Sequence, residues 1–339
     1  MKRLALSLSL LGLLTGALSA QQLQLPTANH ALFDAPAEFF QFVDRDFDGA
    51  KTTPWEGGQF GFVRDPRRIG GRIAYARFHE GLDIKPLQRD AKSNPQDEVG
   101  AIADGVVAYV AASSGLSNYG RYIVVQHNWG GSPFFSLYAH LASAQVSAGQ
   151  KVKAGTTLGI LGYTGSGIDQ RRAHLHVELN LFLSSRFEAW HNANFPTPNH
   201  HGLYNGLNLI GLDLQSLYLA QQKNPALTAA SAVRATESSY RVAVPGDAEM
   251  EILKNYPWLL DGPRPSGKPA SWEVTFSRWG LPLAVKASST SVAAPYVTWV
   301  KDAGIPHFTH TRGCVTGSGS TGKLTTEGLR FIKLATGWF

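Results

Sequence analysis

The sequence predicts a mainly β protein with a mixed α/β C-terminal region. Only 17% of the 339 residues are charged while 35 are glycine, a balance that favours short strands and tight turns over helical bundles. Between residues 60 and 183, apolar runs of strand length alternate with glycine turns. The helical signals, at 213–222 and 325–335, fall after residue 200, on either side of two strand signals at 272–287 around Gly280-Leu281-Pro282.

Each element has a local reason. Residues 101–110 are an apolar run broken by Asp104-Gly105, which reads as a hairpin turn. Residues 122–125 are a short β-branched strand, and 134–141 are a further strand candidate. Glycines at 149, 155, 159 and 162 punctuate the stretch 146–161 as turns. Residues 184–206, with Pro196, Pro198 and several asparagines, read as a loop, as does the Pro/Gly-rich stretch 257–269. Leu329, Ile332 and Leu334 give the last helix an apolar side.

The N-terminus narrows the compartment. Lys2 and Arg3 precede an apolar run from Leu4 to Leu14, followed by the small residues Ala17, Ser19 and Ala20. This is the pattern of a secretory signal peptide over 1–20. The chain is therefore expected to be exported, to the periplasm or the extracellular cell wall. Residues 21–57 are expected to form an N-terminal arm, 58–190 a catalytic domain and 191–339 a C-terminal region. No later apolar run approaches membrane-spanning length, so no integral membrane segment is expected after signal removal. Removing Lys2 and Arg3 from 31 basic residues leaves about +4 against 25 acidic ones. A mildly basic exported chain fits an anionic wall partner, and export argues against nucleic acid. The single cysteine, Cys314, cannot form an internal disulfide, so any metal must be held by His, Asp or Glu.

Three segments carry the chemistry. In His174-Leu175-His176-Val177-Glu178-Leu179-Asn180, polar and apolar residues alternate. On a strand, His174, His176, Glu178 and Asn180 then share one face, and Leu175, Val177, Leu179 and Leu181 the core face. In His79-Glu80-Gly81-Leu82-Asp83 a carboxylate follows a histidine by four residues, and Gly81 lets the chain turn so that both ends face one ion. Catalytic zinc takes three protein ligands of imidazole or carboxylate type and keeps one position open. His79, Asp83 and one of the two strand histidines would complete that set. Gly81 weakens a helix here, so Glu80 is not assigned the general-base role of the H-E-x-x-H motif. In Tyr138-Ala139-His140-Leu141 the strand alternation puts Tyr138 and His140 on one face.

Taken together, H-x-x-x-D, then Y-A-H-L, then H-L-H closely resembles the lysostaphin-like zinc endopeptidases. The surrounding residues agree. Phe60-Gly61-Phe62-Val63-Arg64 resembles the family's F-G-x-R turn with one extra residue, and Gly81-Leu82-Asp83-Ile84 its G-(I/L)-D-I. Ala103 to Val107 resembles its A-x-x-G-x-V hairpin, Val152 to Gly165 its glycine-spaced run, and His127 stands where a histidine is frequent. The resemblance covers about residues 58–185. It implies an antiparallel β-sheet core with a groove over one zinc per chain. It implies His79, Asp83 and His176 as ligands, and His140 and His174 as the catalytic pair that does not bind metal. It implies peptidoglycan peptides as substrate, and a monomer is expected. Glu178 and Asn180 could support the strand histidines, and Tyr138 could face the site or pack.

Other readings stand beside this one. A non-catalytic member of the fold would activate another wall hydrolase, but such relatives typically lack zinc ligands, and every such position is filled here. A swinging-arm carrier would need an exposed lysine at a tight turn, and no Met-Lys-Met or Asp-Lys-Ala turn is present. His307, His310, His200 and His201 are expected at the surface. Arg64, Arg67, Arg68, Arg72 and Arg77 are expected in a solvated loop or against carboxylates of stem peptides. Residues after about 200 are expected to govern folding or substrate access, not the metal chemistry.

Overall fold

The computed structural model describes residues 22–339, so the expected signal peptide at 1–20 lies outside the described residues. The chain is mainly β with antiparallel sheets. In the largest sheet, strands Lys151–Val152, Gly105–Ala111, Tyr122–Trp129, Ser132–Ala139, Leu175–Phe182 and Leu209–Gly211 lie side by side in that order. The far edge of Leu175–Phe182 is shared. Leu82–Ile84 pairs with its first half, placing Asp83 opposite His176, and Leu209–Gly211 pairs with its second half.

The alternation read in 174–181 is realised. Leu175, Val177, Leu179 and Leu181 are fully buried in the main core. His176, Glu178 and Asn180 point to the opposite side of the sheet, in register with Ala139, Leu137 and Phe135. Leu203 and Tyr204 cover part of that second face, packing over Tyr122, Phe135, Leu137 and Ala139.

Around this sheet stand a three-stranded sheet (Ser143–Ala144, Thr157–Ile160, Glu98–Gly100) and a long hairpin, Gly61–Ile69 with Arg72–His79. The C-terminal region adds a four-stranded sheet of Pro282–Ser288, Ser271–Phe276, Tyr240–Pro245 and Tyr296–Val300. Helices Leu214–Lys223 and Thr326–Thr336 start where predicted. The side chains of Asp213 and Thr325 cap their first turns by accepting from the Ser216 and Gly328 N–H groups. One continuous apolar core runs from Phe40, Leu82 and Ile123 through Leu217 to Tyr240, Val285 and Ile332. Among the described residues, no helix is long and apolar enough to cross a membrane.

Two local expectations are corrected. Asp104-Gly105 is not a hairpin turn. The Asp104 carboxylate accepts from the Ala154 N–H at 2.9 Å and from Lys153 at 2.8 Å, and the strand starts at Gly105. Glycine is required there by crowding, since a Cβ would lie 2.5 Å from the Gln126 carbonyl oxygen. The stretch 184–206 is also not all loop. It contains the helix Phe187–Asn194, whose Phe187 and Trp190 are buried. Its asparagines obscured that apolar pair.

Candidate active site

Five side chains from four places in the chain meet at the second face of the large sheet. His79 ends the hairpin strand, Asp83 lies on Leu82–Ile84, and His140 follows Ser132–Ala139. His174 and His176 open the central strand. All five are under 8% exposed.

The chain bends at Gly81 as expected, and close packing adds a second reason for glycine there. An added Cβ would sit 2.4 Å from the Val177 carbonyl oxygen and 3.0 Å from Cε1 of His176. Glycine is needed because the chain passes tightly across the central strand. Gly81→Ala is therefore expected to lower stability by about 1–3 kcal/mol, the usual scale for overpacking. Thermal melts check this, and a variant indistinguishable from wild type would contradict it.

His140 reaches the site by breaking its strand's alternation. Its φ is +63°, a left-handed conformation rare for a residue with a side chain. The Tyr119 carbonyl accepts its backbone N–H at 2.9 Å. Tyr138 consequently does not share its face. The Tyr138 hydroxyl accepts from the Ile102 N–H at 2.8 Å inside the main core.

The hydrogen bonds fix which ring nitrogens are free. His79 Nδ1 donates to the Gln59 carbonyl at 2.7 Å, His140 Nδ1 to the Thr164 carbonyl at 2.8 Å, and His174 Nδ1 to the Arg172 carbonyl at 2.6 Å. Since a carbonyl only accepts, each ring carries its hydrogen on Nδ1 and leaves Nε2 free. His176 is reversed. Its Nε2 donates to Glu178 Oε1 at 2.8 Å, which leaves Nδ1 free. His176 Nδ1 lies 2.9 Å from Asp83 Oδ1 and 3.1 Å from His79 Nε2, and His79 Nε2 lies 3.0 Å from Asp83 Oδ1. Three acceptor-type atoms thus crowd together, an arrangement that requires a shared proton or a cation. Two imidazole nitrogens and one carboxylate oxygen, all within 4.8 Å of one another, fit a zinc ion.

The surroundings keep the carboxylates ionised. Burial alone would raise the Asp83 carboxyl, but His174, His79 and Arg64 together hold it well below the ordinary range. Arg64 donates to Asp83 Oδ2 at 2.5 Å and to the Gly57 carbonyl at 2.8 Å. It belongs to the site, not to a solvated loop. The strand carrying it has a register irregularity between Phe62 and Arg64, where the extra residue of the F-G-F-V-R segment falls. Burial would also raise Glu178, but His176, Tyr119 and Asn180 lower it. Burial opposes a charge on His176, yet Asp83 and Glu178 push that ring up to about 10, so without a cation its Nδ1 carries the shared proton and with one it is freed to bind. Burial, with His174 and His176 alongside, pushes His140 well below its ordinary value, so it is a neutral imidazole with a free Nε2. Its ring centroid is 4.8 Å from that of His174.

Residues 77–185 match the model of Peptidase family M23. This chain carries an M23 peptidase domain. Over 113 residues, a third of the chain, it is 34% identical to an uncharacterized metalloprotease of Haemophilus influenzae. Over 101 residues it is 37% identical to the murein hydrolase activator NlpD of Escherichia coli, covering 30% of this chain. The chain spans about a fifth of each of these two relatives, 20% and 22%. Among solved structures it is similar to the catalytic domain of lysostaphin from Staphylococcus simulans. The identity is 28%, the TM-score 0.25, and the match covers 35% of this chain and 76% of that one.

Several histidines outside the M23 site differ from expectation. His307 and His310 are buried, with His307 Nδ1 3.3 Å from His310 Nε2. His201 is buried between the Tyr109 hydroxyl and the Leu116 carbonyl. His201 packs against Tyr122 and against Tyr109, 92 residues away in sequence, contacts with no signal in the local sequence. His127 lies on the core side, bonded to the Asp104 carbonyl and the Ser136 hydroxyl, away from the M23 cluster. Glu80 pairs with Arg312 at 2.6 Å. Tyr119 was missed altogether. It sits in a glycine-rich turn, where no periodic pattern singles it out.

Proposed function

We propose that the chain is an exported zinc-dependent endopeptidase that hydrolyses peptide bonds in the stem or cross-bridge peptides of bacterial peptidoglycan. The observation that carries this reading is the pairing of a complete ligand set with two further free imidazole nitrogens. His79 through Nε2, Asp83 through Oδ1 and His176 through Nδ1 would hold one zinc per mature chain. The proposed division is a signal peptide at 1–20, an arm at 21–57, the catalytic domain at 58–190 and a C-terminal region at 191–339, acting as a monomer.

Zinc bound there supplies an activated water nucleophile and polarises the scissile carbonyl. His140 and His174 do the rest. Each presents Nε2 with its Nδ1–H held by a backbone carbonyl, so neither ring needs to reorient during turnover. The neutral His140 accepts the water's proton at Nε2 and, as an imidazolium, returns it to the leaving amine, while the neighbouring ring steadies the developing oxyanion when its Nε2 carries a hydrogen as well. The two roles can be exchanged between them. Burial of all five side chains strengthens each of these interactions.

A second reading, a non-catalytic activator of another wall hydrolase, draws support from the similarity to murein hydrolase activators. The filled ligand and catalytic positions favour catalysis. Digestion of purified sacculi of several cross-link types, with mass analysis of the products, separates the two. The expected products carry new amino and carboxyl ends within stem or cross-bridge peptides. Untouched sacculi combined with stimulation of a purified amidase would establish the activator instead.

A further inference from the structure

Tyr119 lies outside the metal cluster, yet it touches the support of one of its members and the backbone of His140. Its hydroxyl donates to Glu178 Oε1 at 2.7 Å, the same oxygen that takes the Nε2–H of His176 at 2.8 Å. Asn180 holds the other Glu178 oxygen at 2.9 Å. Glu178 is 1% exposed, so these donors replace water around a buried carboxylate. With Glu178 fixed, His176 keeps its hydrogen on Nε2 and turns Nδ1 toward Asp83 and His79. Through its backbone, Tyr119 also accepts the N–H of His140, the residue in the left-handed conformation.

The ring of Tyr119 is itself braced by a distant part of the chain. Gly206 lies against it so closely that an added Cβ would meet Cε2 and the hydroxyl oxygen at 2.9 Å. Gly206 opens the short turn Gly206–Asn208, whose first turn is capped by the Asn205 side chain accepting from the Leu207 N–H. The turn is anchored by Asn208 Nδ2, which donates to the Ser184 and Leu203 carbonyls. The other face of the ring packs toward His176 and Tyr122, with centroids 5.7 and 5.3 Å away.

We propose that Tyr119 is a positioning residue for the metal ligand His176, and that the turn at Gly206 holds it in place. The proposal rests on the zinc reading above. It gives residues after 200 a part in the metal centre, beyond the folding or access role expected from sequence. Partners that fix the orientation of a ligating histidine typically contribute 10–100-fold to metal affinity.

The test is Tyr119→Phe in the full mature chain, a change that removes one oxygen and keeps both the ring and the backbone bond to His140. Zinc affinity, measured by competition with a chromogenic chelator, is expected to fall about 10–100-fold. In the metal-free protein, the His176 Nε2–H resonance in a long-range proton–nitrogen spectrum is expected to shift or broaden. Gly206→Ala, which displaces the ring, is expected to weaken zinc binding in the same direction, and it serves if Tyr119→Phe does not fold. A folded Tyr119→Phe that binds zinc within about twofold of wild type, with an unmoved His176 resonance, overturns this proposal alone. A wild-type chain that takes up no zinc overturns the zinc reading and this proposal together.

Discussion

His176→Ala is expected to be purified without zinc, whereas His174→Ala and His140→Ala keep zinc and lose turnover by about a hundredfold or more. The two strand histidines are only two residues apart, so the difference must come from geometry. His176 Nδ1 is 2.9 Å from Asp83 Oδ1 and 3.1 Å from His79 Nε2, and its other nitrogen is committed to Glu178. His174 Nε2 stands farther off, 3.4 Å from Asp83 Oδ1, with its ring against His140. Removing His176 takes away one of three ligands and also leaves Glu178 buried without its imidazole partner, so both metal and local order suffer. Removing His174 or His140 leaves the ligand triad intact and withdraws a proton acceptor or an oxyanion partner. His79→Ala and Asp83→Ala should behave as His176→Ala does. Metal content and peptide-bond hydrolysis measured on the same samples decide the matter. Loss of zinc in His174→Ala with retention in His176→Ala would reverse the assignment and pass the catalytic role to His176.

What the sequence made legible was chemistry set by short spacing. The i, i+2 alternation of His174 to Leu181 gave the face of each residue, because a strand with one side in the core cannot slip register without burying its polar set. Asp213 and Thr325 marked helix starts because capping is a local property. Contacts across large sequence separations were not legible. Arg64 meets Asp83 over 19 residues, Tyr119 meets Glu178 over 59, and Arg312 meets Glu80 over 232. No period or motif encodes such pairs. His140 illustrates a different failure. Alternation put it beside Tyr138, and only its left-handed backbone turns it to the other side. Strands Tyr240–Pro245 and Tyr296–Val300 escaped notice for a third reason. They are short, and their place is set only by pairing, Tyr240–Pro245 lying between Ser271–Phe276 on one side and Tyr296–Val300 on the other.

A chain ending at residue 206 is expected to lose its cooperative melt and, with it, the metal site. The truncation removes Leu209–Gly211 and leaves the edge of the central strand unpaired at Asn180 to Phe182. It removes Tyr256, whose hydroxyl accepts from the Phe182 N–H, and Trp258, which stacks on Phe134 and donates to the Ser132 hydroxyl. It removes Trp279, which stacks on Phe78, the residue before His79. It removes Leu214, Leu217 and Tyr218, and with Gln221 the acceptor for the Leu23 N–H. Full burial of a large apolar side chain is worth about 1.5–3 kcal/mol, and whole domains are stable by only about 5–15 kcal/mol. Exposing half a dozen such partners at once costs about 9–18 kcal/mol, comparable to that whole margin. The continuous core therefore makes 207–339 a structural requirement for His79, Asp83 and His176 to meet, although none of the five site residues lies there. Circular dichroism melts and zinc analysis of the truncated chain check this. A cooperative transition with one zinc retained would show that the M23 domain stands alone and that the C-terminal region is an accessory to it.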